Sequence, residues 1–297
     1  MLTIFTPTYN RCHLIDNLYQ SLLAQDNQSF EWLVIDDGST DDTEAYFQNL
    51  LKQQQPFEIR CVRQPNGGKH RAINKGVSLA QGELFFIVDS DDYLTPDAVS
   101  KVYQWNDSLD SSKKWAGFAG LRSHKDFSVI GKRNTNHFID AKNNERENFC
   151  LIGDKAEVYF TNVLKKYPFP EFEGEKFISE EVVWNAIARD DYYLRWFNEI
   201  IYICEYLEGG STMNSNSLFE QNPQGTLHWV KSCFKSYPHN FRRRWRAIHT
   251  YYTAVRKRKS LHDIAKDLEL SYSKTFLISH FVDFFTKSYM FLKRKSK

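Results

Sequence analysis

Short apolar runs that stop abruptly in polar loops, with stretches of helical spacing between them, constrain this chain more than any other feature. Residues 2–5, 32–35, 59–62 and 84–88 read as buried strands, each too short and too continuously apolar for a helix. Residues 14–24, 42–51 and 71–80 lie between them and read as helices. Strand–helix alternation needs crossover connections, so the sheet is expected to be mainly parallel, in an α/β fold. Ligands of such sheets bind beyond the carboxyl ends of the strands. The unusual residues of this chain fall in the loops that follow those ends.

Later segments are less regular. Residues 113–153 lose the pattern and are dominated by polar side chains, which predicts an insertion or mobile segment near the site. A helix at 182–189 and a strand at 200–203 follow. Beyond Asn222-Pro223 the chain reads as helical and aromatic-rich, so residues 1–221 are expected to form one domain and residues 222–297 a helical C-terminal extension. A hydrophobic share of 41% and a charged share of 26% are those of a soluble globular protein. No run approaches the ~18 to 20 apolar residues of a membrane-spanning helix, and the start lacks a signal-peptide pattern. The five cysteines are far apart without a CxxC pair, as in reduced, cytoplasmic proteins. Charge is uneven: residues 241–297 carry 15 Lys or Arg against 4 Asp or Glu, whereas the rest carries 24 against 33. A basic tail on an acidic body suits an anionic partner surface.

Strand 84–88 runs into Asp89-Ser90-Asp91-Asp92. Three adjacent carboxylates repel one another, and an oxygen-rich cluster suits Mn²⁺ or Mg²⁺, which can bridge to phosphate oxygens. The alternative is a set of turn and helix caps. After strand 32–35 comes Asp36-Asp37-Gly38-Ser39-Thr40-Asp41-Asp42-Thr43, where capping accounts for Asp41 and Asp42 but not for Asp36 and Asp37; one carboxylate here can accept from a base N–H. The first strand leads to Thr6-Pro7-Thr8-Tyr9-Asn10-Arg11, with Tyr9 available to stack on a base. Asn66-Gly67-Gly68-Lys69-His70-Arg71 opens the third helix, where Lys69 and Arg71 are expected to meet phosphates at its N-terminus. This is neither a Walker loop nor a Rossmann fingerprint.

Taken in order, TPTYNR, DDGSTDDT, NGGKHRAINKG and DSDD resemble the GT-A glycosyltransferases, specifically the large inverting family 2. The resemblance implies a GT-A fold, a Rossmann-like, mainly parallel sheet flanked by helices. It implies a nucleotide-sugar donor, UDP-linked, held by Thr6, Pro7, Tyr9, Arg11, Asp37, Lys69, Arg71, Asp89 and Ser90. Asp37 then meets the uracil, Asp89 the ribose, and Asp91 the metal, with Asp89 and Asp92 as further candidate ligands. Inverting transfer needs a base for the acceptor hydroxyl. Relatives carry an acidic pair four residues ahead of a helical Trp; Glu180 precedes Trp184 by four, which makes Glu180 the base and Glu181 the fallback. Ser179 replaces the first acid of the pair. Cys204-Glu205-Tyr206-Leu207-Glu208-Gly209-Gly210 directly follows residue 203, with no basic residue at the place where many relatives set one against the diphosphate.

The expected acceptor is a glycan or lipid-linked sugar hydroxyl, as in bacterial surface-polysaccharide (capsule-type) biosynthesis. A sugar-nucleotide pyrophosphorylase would need a GxGxR loop after the first strand, and a binding module without transferase activity would leave Glu180 without a task. The Arg242–Arg246 run comes with no nucleic-acid-binding module, so no nucleic-acid partner is expected. Its interleaved aromatics suit either peripheral contact with the inner face of the cell membrane or a helical subdomain or homodimer interface.

Overall fold

The N-terminal apolar runs become neighbouring parallel strands because both of their faces are covered. The structure, a computed structural model, describes residues 1–205 and 215–280. Strand β1 (Leu2–Thr8), helix α1 (Cys12–Leu23), β2 (Phe30–Asp36), α2 (Thr43–Leu50), β3 (Glu58–Arg63), α3 (Lys69–Leu79) and β4 (Leu84–Ile87) alternate as the sequence predicts. Every residue of β1, β2 and β4 is buried, whereas the edge strand β3 is partly exposed. Pairing is parallel from β3 through β2 and β1 to β4. On one face Trp32 packs between Tyr19 of α1 and Phe47 of α2, at ring separations of 6.0 and 5.6 Å. On the other, Phe5 stacks on Phe85 at 4.9 Å.

After β4 come β5 (Tyr93–Leu94), α4 (Ala98–Asp107), β6 (Trp115–Ser123), β7 (Phe138–Ala141), a 3₁₀ helix (Asn143–Phe149), β8 (Lys155–Phe160), α5 (Thr161–Leu164), α6 (Glu181–Arg189) and β9 (Tyr193–Ile203). Among the described residues the strands form one sheet in the order β3-β2-β1-β4-β8-β6-β9-β5, with β7 also paired to β9. The expectation of an insertion over residues 113–153 is therefore corrected. β6 lies in the interior of the sheet, antiparallel to β8 and parallel to β9, and only the segments around β7 and the 3₁₀ helix are peripheral. Its sequence, WAGFAGLRS, lacks alternation because both faces are buried, and its register slips three times against β9.

The C-terminal region holds α7 (Ser215–Gln221), α8 (Pro223–Ser236), α9 (Phe241–Val255) and α10 (Leu261–Asp267). Pro223 begins α8, where a missing N–H costs nothing. The side chains of Asn240 and Ser260 accept from the backbone at the starts of α9 and α10. Val230, Cys233, Ala247, Tyr251, Tyr252 and Ile264 make a core of their own. Tyr251 and Tyr252, two of the interleaved aromatics, are thus interior residues. Phe281, Phe284, Phe285, Tyr289 and Phe291 lie outside the described residues.

By contacts the chain divides into two compact units, Met1–Glu171 with Val183–Glu208, and Phe172–Val182 with Gly209–Lys297. The sequence reading places the break at 221/222. The difference arises because α7 belongs with the helical unit and because residues 172–182 join it: Glu175 accepts from the N–H groups of Gln224 and Gly225 at the start of α8, at 2.7 and 2.8 Å. No helix among the described residues is long and apolar enough to cross a membrane.

Candidate functional site

Because β1 to β4 are parallel, the loops after them share one end of the sheet, and hydrogen bonds tie these loops together. Asn10, in the left-handed region at φ 53°, donates from its backbone to Ser39 Oγ at 2.9 Å and accepts from Thr40 N–H at 2.7 Å. Asp41 accepts from the N–H of Cys12 at the start of α1 (3.0 Å) and of Thr43 at the start of α2 (3.1 Å). Gly38 has φ 80°, and a Cβ there would stand 2.8 Å from Asn66 N, so glycine is what lets the second and third loops touch.

Asp37 is the hub. Its buried carboxylate accepts from Gln64 Nε2 (2.7 Å), Asn66 Nδ2 (3.2 Å), Gly67 N–H (2.9 Å) and Gly68 N–H (2.7 Å). An anion at the N-terminus of α3 is favoured by the orphan N–H groups and the helix dipole. The sequence reading reserved that position for phosphate; Asp37 fills it. Arg71 is likewise turned to the protein, donating to Gly67 O at 2.8 Å and pairing with Glu171 at 3.1 Å. Thr6 is buried and its hydroxyl accepts from the Trp32 indole at 3.0 Å, so its side chain belongs to the core; Pro7 is buried beside it. Tyr9, by contrast, is 46% exposed, a ring open for stacking.

The carboxylates after β4 differ sharply from one another. Lys69 Nζ lies 2.6 Å from Asp89 Oδ1, and Arg122 Nη1 lies 3.9 Å from its Oδ2. Burial pushes the Asp89 pKa up, but Lys69 and Arg122 hold it below the usual range. Asp91 faces Arg11 at 3.4 Å; burial and the Asp89 charge raise its pKa. Asp92 accepts from Tyr202 OH at 2.9 Å and Glu205 N–H at 3.1 Å, and burial with the charges of Asp89 and Asp91 pushes it up to about 6. Ser90 between them is buried. The protein's own Lys69, Arg122 and Arg11 thus offset the repulsion that the sequence reading assigned to a metal. Among the described residues no three His, Cys, Asp or Glu side chains are grouped to hold a metal ion. The reason is that Asp89 is turned to Lys69 and Asp92 to Tyr202. Asp91, opposite Arg11, would be the single carboxylate left to a Mn²⁺ or Mg²⁺, hard cations that commonly take one or two carboxylates and complete their shell with water and phosphate oxygens.

Arg122 and Tyr202 went unread in the sequence, and no local signal marks them. Arg122 lies in the segment read as an insertion, and its guanidinium stacks on the Tyr202 ring at 4.1 Å.

Within the helical unit, Glu180 is half-buried in the turn immediately before α6. Glu181 accepts from Arg243 Nη1 (2.6 Å) and Tyr237 OH (3.1 Å) on Oε1 and from Trp229 Nε1 (2.9 Å) on Oε2. Three donors on two oxygens make it a structural anchor of α8 and α9.

Residues 3–116 match the protein family described as Glycosyl transferase family 2. The GalNAc(5)-diNAcBac-PP-undecaprenol beta-1,3-glucosyltransferase of Campylobacter jejuni is 35% identical over 107 residues, 35% of this chain and 33% of that protein. The chain spans less than half the length of the curated relatives it matches, from 10% to 41%. In fold it is similar to Staphylococcus aureus TarS 1–349 in complex with UDP-GlcNAc, with TM-score 0.59, 19% identity, and coverage of 86% of this chain and 81% of that one. It is also similar to the mannosyltransferase PcManGT of Pyrobaculum calidifontis in complex with GDP-Man and Mn²⁺, with TM-score 0.56, 17% identity, and coverage of 95% and 84%.

Proposed function

We propose, from the premise that residues 3–116 form a family 2 glycosyltransferase domain of the GT-A fold, that this chain transfers a sugar from a nucleotide-diphosphate sugar, UDP-linked, to a hydroxyl of a glycan or lipid-linked acceptor with inversion. The observation that carries this reading is the cluster of Asp89 and Asp91 with Lys69, Arg11 and Arg122 at the strand end. Such a cluster suits a ligand that carries both a ribose and a diphosphate. Tyr9 stacks on the base. Asp37 braces the base pocket; a base N–H reaches it only by displacing one of its four donors, of which Asn66, at 3.2 Å, is the most distant. Asp89 accepts from the ribose hydroxyls, and Lys69, released toward the diphosphate, balances its charge. Asp91 would hold a divalent ion, Mn²⁺ as in the PcManGT complex or Mg²⁺, and the ion would supply positive charge against the departing diphosphate. Glu180 takes the acceptor proton on its carboxylate, and Glu181, held by Arg243, Tyr237 and Trp229, positions it. The undecaprenol-linked substrate in the name of the Campylobacter relative supports a lipid-linked acceptor, and the basic C-terminal region supports peripheral membrane contact.

A UDP-sugar panel with Mn²⁺ or Mg²⁺ tests this on wild type, Asp91→Ala and Glu180→Gln. Asp91→Ala is expected to lose the metal-dependent gain in UDP affinity. Glu180→Gln should retain donor affinity while turnover falls by about 10² or more, the usual loss for a general base. Donor binding by the wild type without any transfer or hydrolysis would point instead to a binding module.

A further inference from the structure

The sheet order puts β8 and β6 between β4 and β9, yet β5, which begins immediately after Asp92, pairs with β9. The Asp89–Asp92 turn must therefore pass over the ends of two strands before the chain is anchored again. One side chain holds both ends of that crossing. The buried Tyr202 hydroxyl, on β9, accepts from Asp89 N–H at 2.9 Å and donates to Asp92 Oδ2 at 2.9 Å. Its ring carries the Arg122 guanidinium at 4.1 Å, and Arg122 faces Asp89 Oδ2. A turn bond from Asp92 N–H to Asp89 O, at 3.1 Å, closes the loop.

We propose that Tyr202 is the positioning residue of the donor site: its hydroxyl fixes the turn so that Asp89 and Asp91 present their carboxylates to the ribose and the diphosphate-bound cation. The inference rests on the donor reading above. A carboxylate on an unpinned turn can be reached only at an ordering cost, and sites held by buried hydrogen bonds avoid it. The ring of Tyr202 also packs against Phe86 at 6.2 Å, which replacement by Phe preserves.

Tyr202→Phe removes both bonds and keeps the ring. Titration of UDP at a series of Mn²⁺ concentrations, on the full chain, reads the effect. The expected result is a roughly tenfold rise in the Mn²⁺ concentration at half-maximal UDP binding, the scale of one lost hydrogen bond to a charged group. Asp92→Leu, which leaves the same hydroxyl without its acceptor, should shift it in the same direction. The double variant should be no worse than Tyr202→Phe, because the two share one bond. A merely structural role would lower the melting temperature without moving the Mn²⁺ midpoint. A midpoint within about twofold of wild type in either folded variant overturns the assignment, and Asp92→Leu alone decides if Tyr202→Phe does not fold. Wild type that binds no UDP, or binds it without response to Mn²⁺, removes the donor reading itself and this inference with it.

Discussion

Asp89, Asp91 and Asp92 are neighbours in sequence, and their surroundings give each a different charge balance. Asp89 keeps its charge because Lys69 and Arg122 outweigh its burial. Among the described residues no cation pairs with Asp92; a phenol and an amide N–H serve it, and its pKa rises to about 6. That rise has a definite sign in stability. A carboxyl group that binds its proton more tightly when folded stabilises the protein at low pH, and the contribution is lost as pH climbs through the folded value. In metal-free buffer, the melting temperature of the wild type relative to Asp92→Asn is therefore expected to fall as pH rises from the ordinary carboxylate value of 3.8 to the folded value of about 6, and to level off above about pH 7. A difference that is flat or rises with pH would mean that Asp92 is ionised throughout. The carboxylates themselves were legible in the sequence as a motif at a strand end. Their division of labour was not, because it is set by Lys69 from the third loop and by Arg122 and Tyr202 from strands that follow in the chain.

At the scale of elements, the β/α alternation of the first ninety residues was readable because each strand centres on a short, mostly apolar run flanked by turn formers. β6 was not readable. Its two glycines suppress the strand signal, yet both are required by packing: a Cβ at Gly117 would lie 2.0 Å from Val158 O, and one at Gly120 2.8 Å from Trp105. With β6 missed, Arg122 near its end could not be placed at the site. α3 shows the opposite case, a helix that forms despite a glycine in its interior. Gly76 lets α3 approach β1 so closely that a Cβ would meet the Phe5 ring at 2.2 Å. Alanine there gains about 1 kcal/mol of helix propensity. Overpacking a buried ring typically costs about 1–3 kcal/mol, and Phe5 cannot yield because Phe85 is stacked behind it. The cost wins. Gly76→Ala is expected to destabilise the protein by up to about 2 kcal/mol, or a few degrees in melting temperature by calorimetry. An equal or higher melting temperature would show that α3 can move off the sheet.

At the scale of the whole molecule, the uneven charge of the chain remains to be explained. Of the aromatic side chains interleaved with basic ones after residue 240, Tyr251 and Tyr252 are interior to the helical unit, so they are not available for a lipid surface. Phe241 is: it is 75% exposed, stacks on Trp245 at 6.2 Å, and is followed by the exposed Arg242. Arg246, Lys257, Arg258 and Lys259 are exposed as well. Each basic residue near an anionic leaflet contributes about 1 kcal/mol, and the attraction fades within a Debye length of about 10 Å at 0.1 M salt. With fifteen Lys or Arg against four Asp or Glu over residues 241–297, the proposed membrane contact rests on charge more than on apolar burial. In vesicle sedimentation the full chain is expected to pellet with anionic vesicles at low salt, to be released as salt is raised, and to ignore neutral vesicles. Replacing Arg242, Arg246 and Lys257 together by Glu inverts three charges and should weaken that binding by at least tenfold, since the summed change exceeds the ~1.4 kcal/mol that a factor of ten requires. Equal binding to neutral and anionic vesicles, or none to either, would mean that these charges only solvate the helical unit.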